Sequence, residues 1–162
     1  MKTVLFLRHA KSKRGPQYHT DFERPLAKRG KRDAPRMGQF LAAQDQVPDL
    51  ILSSPAERAR QTALRCADAA DYMGEIRFDE VLYLGGEEAY LALLEELDDT
   101  LDRVLFVGHN PDIEIVIEML CGEWVRMPTA ALARIDLPLT SWSGLSENMG
   151  RLCWVQYPRE ID

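Results

Sequence analysis

The hydrophobic residues of the chain occur in short continuous runs, and between these runs apolar residues recur at helical spacing. Residues 4–7 and 104–107 are uninterrupted apolar runs with β-branched and aromatic members. This pattern is typical of strands that are buried on both faces of a parallel sheet. Further strands are predicted at 50–52, 76–78, 131–137 and 152–157.

Segments with helical spacing lie between the predicted strands. Helices are predicted at 26–44, 55–72, 89–97 and 113–120. Pro35 is expected to kink or interrupt the first helix, because proline removes a helical hydrogen bond. Ser53, Ser54 and Pro55 are typical of an N-cap with a proline near the first position of the second helix. Residues 11–25 are mostly polar and predict a long loop, a feature that is often functional.

Strands that alternate with helices indicate an α/β fold. We expect a three-layer α/β/α sandwich around a mostly parallel central sheet. The length of 162 residues is that of one domain, which we expect to span residues 1–162. Ligands bind to such sheets just beyond the carboxyl ends of the strands, so candidate chemistry belongs to the residues that follow each strand.

The charge and the cysteines exclude several classes of function. Acidic residues outnumber basic ones by 26 to 20, and the net charge of -6 argues against general binding to nucleic acid or anionic lipid. Cys66, Cys121 and Cys153 include no CxxC pair, so neither a disulfide framework nor a structural zinc site is indicated. The apolar run near the N-terminus is too short for a signal peptide or a membrane span. We therefore expect a cytoplasmic protein without a membrane partner.

Two arginines and two histidines follow the predicted strands. Arg8 and His9 come after the first strand, Arg58 lies beyond the second, and His109 comes shortly after the run at 104–107. Guanidinium groups match the oxygens of a phosphoryl group in geometry and in charge. Helix N-termini that begin beyond these strands would add backbone N–H donors to the same anion. The sequence therefore predicts a phosphate site.

Histidine adds a reaction to the binding of phosphate. A neutral imidazole can attack phosphorus and carry the phosphoryl group as a covalent intermediate. Arg8, Arg58 and a protonated His109 would stabilise the charge on the phosphoryl oxygens. The sequence contains neither a Walker-type glycine loop nor an obvious acidic metal cluster, so we expect a metal-independent reaction without a cofactor.

Other polar residues have simpler interpretations. A zinc site made of His9, His19 and His109 is an alternative, but these histidines lack the short spacing of metal ligands. His19 lies in the polar loop, where we expect it to be exposed to solvent. The basic residues between positions 28 and 32 are expected to form a solvated helix face, as runs of charge usually do.

Five segments of the chain form an ordered combination that is far more specific than a lone Arg-His pair. They are LRHAKS at 7–12, RPL at 24–26, SSPAERARQT at 53–62, GHNP at 108–111 and MPTAA at 127–131. Together they resemble the histidine phosphatase (phosphoglycerate-mutase-like) superfamily, and within it the short SixA-type phosphohistidine phosphatases. The resemblance implies the fold of phosphoglycerate mutase.

The same resemblance implies roles for individual residues. His9 would be the nucleophile that accepts the phosphoryl group. Three further residues would form the phosphate pocket, namely Arg8, Arg58 and His109. Lys11 and Arg24, in or beside the loop after the first strand, are candidates for binding the substrate.

The chain departs from the commoner superfamily pattern at two points. The usual Arg-His-Gly is Arg8-His9-Ala10 here, which the short branch tolerates. Many members also use a Glu or Asp to protonate a leaving alkoxide, and the nearest candidates in this chain are Asp79 and Glu80. The imidazole leaving group of phosphohistidine needs less help from an acid, which favours phosphohistidine as the substrate.

Three functions are compatible with these residues. The first is a phosphatase that removes phosphoryl groups from histidine on a partner protein. The second is a broad phosphomonoesterase for small molecules, which would need a working acid such as Glu80. The third, from a different class, is a module that recognises a phosphorylated partner without turnover.

Overall fold

Six strands form one sheet in this computed structural model, which describes residues 1–160. The strands are β1 (Lys2–Arg8), β2 (Leu50–Ser53), β3 (Ile76–Phe78), β4 (Arg103–Gly108), β5 (Leu132–Leu137) and β6 (Arg151–Gln156). Their order across the sheet is β3-β2-β4-β1-β5-β6. All six predicted strands are confirmed, with ends that differ by at most two residues.

Four of the strands pair in parallel. β3 pairs with β2, β2 with β4 and β4 with β1 in parallel, whereas β5 is antiparallel to both β1 and β6. Among the described strands, β5 alone therefore runs against the others. This confirms the predicted mostly parallel sheet.

Helices cover both faces of the sheet. They are α1 (Lys28–Ala43), α2 (Glu57–Ala69), α3 (Val81–Leu84), α4 (Gly86–Glu95) and α5 (Asp112–Cys121), with 3₁₀ turns at Asp21–Glu23, Trp142–Gly144 and Pro158–Glu160. Val4 and Phe6 of β1 lie in the core that α4 and α5 cover, while Leu5 and Leu7 lie in the core under α1 and α2. The predicted three-layer sandwich is confirmed.

The first helix continues through Pro35, so the predicted interruption is wrong. A proline in a helix interior costs about 3 kcal/mol. Met37 and Leu41 of α1 are fully buried against the sheet and α2. Burial of such side chains stabilises a fold by about 1.5–3 kcal/mol each, which offsets the cost of the proline.

The second helix begins two residues after Pro55, and the predicted serine N-cap is wrong. The residue before the helix is Ala56, which makes no side-chain capping hydrogen bond. Ser53 belongs to β2, and its hydroxyl donates to the carbonyl of Ser54 at 2.9 Å. The hydroxyl oxygen of Ser54 accepts from the backbone N–H of Ala56 at 3.2 Å. Both serine hydroxyls therefore make local hydrogen bonds at the carboxyl end of β2.

The helix predicted at 89–97 begins earlier and has a short helix before it. α4 starts at Gly86, and α3, which the sequence analysis did not predict, precedes it. Asp79 accepts a hydrogen bond from the backbone N–H of Val81 at 3.1 Å, which satisfies a free donor at the start of α3. Leu82 in this helix is fully buried.

Three predictions concern the chain as a whole, namely the lack of a membrane span, the cytoplasmic location and the single domain. No helix within residues 1–160 is long and apolar enough to cross a membrane. The cytoplasmic location and the single domain over residues 1–162 stay predictions, and residues 161 and 162 lie outside the described part of the chain.

Gly38 allows α1 and α2 to approach closely, and we predict that Gly38→Ala destabilises the fold. A Cβ atom at Gly38 would lie 2.2 Å from the carbonyl oxygen of Cys66 in α2, so the helices would have to move apart. Such overpacking costs about 1–3 kcal/mol, which exceeds the gain in helix propensity of at most about 1 kcal/mol. Urea unfolding followed by circular dichroism would show a lower midpoint.

The matched control is Gln39→Ala, which changes the exposed neighbour of Gly38 in the same helix. We expect its unfolding midpoint to remain close to that of the unchanged protein. A Gly38→Ala variant as stable as the Gln39→Ala variant would contradict the close packing of the two helices.

Candidate active site

The carboxyl ends of three neighbouring strands meet at one edge of the sheet. Arg8 of β1 is in register with Gly108 of β4, and the backbone N–H of His9 donates to the carbonyl of Gly108 at 2.9 Å. On the other side of β4, the N–H of Ser54 donates to the carbonyl of Val107 at 3.0 Å. The segments that follow β1, β2 and β4 are therefore held side by side.

A cavity of about 220 Å³ opens at this edge. It is lined by Arg8, His9, Lys11, Ser12, Arg14, Arg24, Arg58, His109, Asn110 and Thr129. All six residues that the sequence analysis singled out for catalysis or substrate binding are among them. Five of the lining residues are Arg or Lys. None of the residues that line the cavity in the described part of the chain is acidic, so the cavity suits an anion.

His9 is held in one orientation and is almost completely buried. Its Nδ1 lies 2.8 Å from the carbonyl oxygen of Ala10, which can only accept a hydrogen bond, so Nδ1 carries the proton. Its Nε2 is therefore unprotonated, and its lone pair accepts a long hydrogen bond from Arg58 Nε at 3.4 Å. Burial, with a further contribution from the nearby positive charges, lowers the pKa of His9 to about 3. The ring is therefore neutral at pH 7.

His109 lies beside His9, with 5.2 Å between the ring centroids. Its Nε2 is 2.8 Å from the hydroxyl of Ser54, and its backbone N–H donates to the hydroxyl of Tyr90 at 3.2 Å. Burial and then the charge of Arg58 lower the pKa of His109 to about 4. His109 is therefore neutral in the ligand-free site, because a buried imidazolium among arginines is unfavourable. The protonated His109 expected in the presence of a phosphoryl group stays a prediction.

Three buried polar atoms of cavity residues have no hydrogen-bond partner within the described chain. They are Arg8 Nε, His109 Nδ1 and Asn110 Oδ1. Arg8 is otherwise fixed by a bond from its Nη1 to the carbonyl of Met127 at 3.1 Å, and burial lowers its pKa. Buried polar groups are usually satisfied, and these three exceptions all belong to residues that line one cavity.

Asp21 was not predicted from the sequence, and its carboxylate binds two of the arginines that line the cavity. Its Oδ2 accepts hydrogen bonds from Arg58 Nη2 and from the Tyr83 hydroxyl, both at 2.8 Å. Its Oδ1 accepts from Arg24 Nη2 at 2.9 Å. Although partial burial favours the neutral acid, the hydrogen bonds from Tyr83, Arg24 and Arg58 hold the pKa of Asp21 well below its usual value. Asp21 therefore fixes the guanidinium of Arg58 in the orientation that also faces His9.

One signal for Asp21 was present in the sequence, because Asp21 and Arg24 are three residues apart in the polar loop. Its contact with Arg58 joins positions 37 residues apart and follows only from the folded loop. The contact of Tyr83 could not be predicted from the sequence either, since Tyr83 lies on helix α3, which was not predicted.

Lys11 and Arg24 both line the cavity, as candidates for substrate binding should. Lys11 is exposed, whereas Arg24 is largely buried and donates to the hydroxyl of Ser12 at 2.8 Å. Arg14 also lines the cavity and was not singled out from the sequence. The loop after β1 therefore contributes three of the five cationic side chains.

The two acids considered as proton donors are not among the residues that line the cavity. Asp79 accepts the hydrogen bond at the start of α3 described above. Glu80 is exposed and lines a separate hollow with Phe22 and Val81. Neither carboxylate therefore shares the cavity with His9, and a proton-donor role for either stays a prediction.

The alternative zinc site is not assembled either. His19 is exposed and does not line the cavity that contains His9 and His109. Over residues 1–160, no group of three or more His, Cys, Asp or Glu side chains is positioned to hold a metal ion.

Residues 4–83 match the model of the histidine phosphatase superfamily (branch 1). A relative of similar length is an uncharacterized protein of Mycobacterium tuberculosis strain H37Rv, which is 34% identical over 94% of this chain and 100% of its own. The segment that contains Arg8, His9 and Arg58 thus falls inside the matched family region, while His109 lies beyond it.

Solved structures match nearly the whole chain. The protein named SixA from Agrobacterium tumefaciens is 30% identical, with a TM-score of 0.84 over 97% of this chain and 98% of that one. The protein histidine phosphatase SixA in complex with tungstate is 25% identical, with a TM-score of 0.84 over 98% of both chains. These matches confirm the predicted phosphoglycerate-mutase-like fold. The chain belongs to the histidine phosphatase superfamily, branch 1, and within it to the SixA-type phosphatases.

Proposed function

We propose that the chain removes phosphoryl groups from histidine side chains of a partner protein, with His9 as the covalent nucleophile. The observation that carries this proposal is the state of His9, which is buried, neutral and unprotonated at Nε2, where Arg58 donates only a long hydrogen bond. A nucleophilic imidazole needs that lone pair directed into a cavity that holds the phosphoryl group. The cationic lining of the same cavity supports phosphate as the ligand.

The reaction proceeds in two displacements at phosphorus. Nε2 of His9 attacks, the new N–P bond forms, and the P–N bond of the substrate breaks as its imidazole leaves. Water then attacks the phosphorus of phosphorylated His9, which releases inorganic phosphate and regenerates the neutral ring. Because a single group serves first as nucleophile and then as leaving group, the enzyme returns to its starting state.

Arg8, Arg58 and His109 stabilise the phosphoryl oxygens during both steps. Fixed donors in a water-excluded site need little reorganisation as the charge shifts, which is the main source of catalysis in phosphoryl transfer. The bonds from Arg58 to Asp21 and from Arg8 to Met127 provide that fixation. A bound phosphoryl dianion would raise the pKa of His109, because it opposes the positive charge of Arg58.

The need of the leaving group for a proton favours phosphohistidine over a sugar phosphate as the substrate. Neither Asp79 nor Glu80 lines the cavity that contains His9, which supports a substrate whose leaving group needs little help from an acid. An imidazole leaves more readily, since its second ring nitrogen can carry the proton. The reaction also needs no metal ion in this scheme, because His9 supplies the nucleophile and the arginines supply the positive charge.

The substrate is a protein rather than a small molecule in this proposal. Exposed Lys11 and partly buried Arg24 at the cavity would hold the phosphoryl group as it enters. The matched protein histidine phosphatase SixA binds tungstate, a tetrahedral oxyanion like phosphate. A phosphomonoesterase for small molecules and a non-catalytic recognition module are the competing functions that the experiment must separate.

We predict that His9→Ala abolishes phosphate release from a phosphohistidine-bearing protein. Loss of a nucleophile lowers kcat by roughly three orders of magnitude or more. The assay measures phosphate release with a chelator present, from the phosphoprotein and from p-nitrophenyl phosphate. Wild type should act on the phosphoprotein with the higher kcat/KM, and Arg8 and Arg58 should preserve phosphate binding in the variant.

His19→Ala is the matched control, because His19 is exposed and does not line the cavity. Its activity should equal that of wild type. Turnover that persists in His9→Ala would refute the mechanism, and a preference for p-nitrophenyl phosphate would favour the small-molecule enzyme. Binding of the phosphoprotein without any release would favour the recognition module.

The neutral state of His9 and His109 predicts an unusual pH dependence. A free histidine becomes protonated near pH 6.5. With pKa values lowered to about 3 and about 4, both rings should remain neutral as the pH falls from 8 to 5. NMR of the ring carbons measures this in the ligand-free enzyme, with signals assigned from His9→Gln and His109→Gln variants. A protonation of either ring near pH 6.5 would contradict the argument for a neutral nucleophile.

A further inference from the structure

A second cavity next to the active site is rich in arginine. It has a volume of about 430 Å³, about twice that of the active-site cavity. Its charged lining consists of Arg29, Arg32, Arg36, Arg126, Arg159 and Asp33. Five arginines and one aspartate leave four positive charges in excess, on a chain whose net charge is -6. We call this cavity the arginine pocket.

The arginines of α1 converge because of their spacing. Arg29, Arg32 and Arg36 are three, four and seven residues apart, which places them on one face of the helix. Each lies 3.7 to 3.8 Å from the carboxylate of the buried Asp33, so three cations share one anion. Their side chains are 38 to 60% exposed and can therefore be reached from solvent. The basic residues between positions 28 and 32 are exposed, as expected of a solvated helix face, and Arg29 and Arg32 among them also line the arginine pocket.

The arginine pocket adjoins the active site. Thr129 lines both cavities, and its hydroxyl accepts a hydrogen bond from Arg29 Nη2 at 3.2 Å. A protein whose phosphohistidine enters the active site would therefore lie across the opening of the arginine pocket. The cavity around His9 admits the phosphohistidine side chain, while the residues that flank it in the substrate lie outside this cavity and beside the arginine pocket.

We propose that the arginine pocket binds carboxylate side chains that flank the phosphohistidine of the substrate protein. This inference rests on the proposed function and specifies its substrate class as phosphohistidine in an acidic setting. Guanidinium groups pair with carboxylates through two hydrogen bonds. Added negative charge would also reduce the repulsion among arginines that share one aspartate. The rest of this acidic chain repels an acidic partner, so the pocket also orients the encounter.

Two synthetic peptides test the proposal, each with one phosphohistidine in an otherwise identical sequence. Three flanking residues are Glu in the first peptide and Gln in the second. Phosphoramidate is the third substrate, because it is too small to reach the pocket. The enzymes are wild type, the double variant Arg32→Gln/Arg126→Gln, and Arg65→Gln as the control. Arg65 is an exposed arginine on α2 that does not line the arginine pocket.

For wild type we expect kcat/KM to be about tenfold higher on the Glu peptide than on the Gln peptide, as three exposed ion pairs can supply. Arg32→Gln/Arg126→Gln should reduce this preference to about twofold, and high salt should weaken it in wild type. Activity on phosphoramidate should stay unchanged in all three enzymes. Arg29 and Arg36 remain beside Asp33 in the double variant, so the buried carboxylate keeps cationic partners.

Equal activity of wild type on the two peptides would overturn the docking proposal and leave the proposed function standing. A preference for the Glu peptide that survives in the double variant, or that Arg65→Gln also removes, would likewise overturn it. No release by wild type from either peptide or from phosphoramidate would refute the proposed function, and the docking proposal would fail with it.

Discussion

The parallel pairing of β1 with β4 is the constraint on which the site depends. Arg8 and Gly108 are in register, so the chain leaves both strands at the same level and brings His9 and His109 together. A shift of one residue in this pairing would turn every side chain of β1 to the opposite face. The two apolar cores and the catalytic cavity are therefore fixed by the same hydrogen-bonded register.

Burial controls the chemistry at the end of these strands. A histidine surrounded by arginines and removed from water cannot keep a proton, so His9 is neutral where phosphate binding requires positive charge. The positive charge resides instead on arginines that remain protonated at any physiological pH. Asp21 fixes the guanidinium of Arg58 without lining the cavity. In the proposed mechanism, the nucleophile, the positive charge and the group that orients it are therefore different residues.

The sequence located the central strands and the functional residues that follow them, but it did not reveal side-chain contacts that form only in the folded chain. The apolar runs at 4–7 and 104–107 located the central strands, and the residues after them located the histidines and Arg8. Asp21 escaped detection because its partner Arg58 is distant along the chain. The arginine pocket was missed because Arg29 and Arg126 come together only when α1 packs beside the segment before β5.

The most direct test of the account is to trap the phosphorylated enzyme. Wild type is mixed with a ³²P-labelled phosphohistidine protein, quenched in alkali within milliseconds to seconds, and digested for peptide mapping. The account predicts label on the peptide that contains His9, with the stability in alkali and the lability in acid of a phosphorylated imidazole. Phosphate release without labelled enzyme, or label on a different residue, would contradict covalent catalysis by His9.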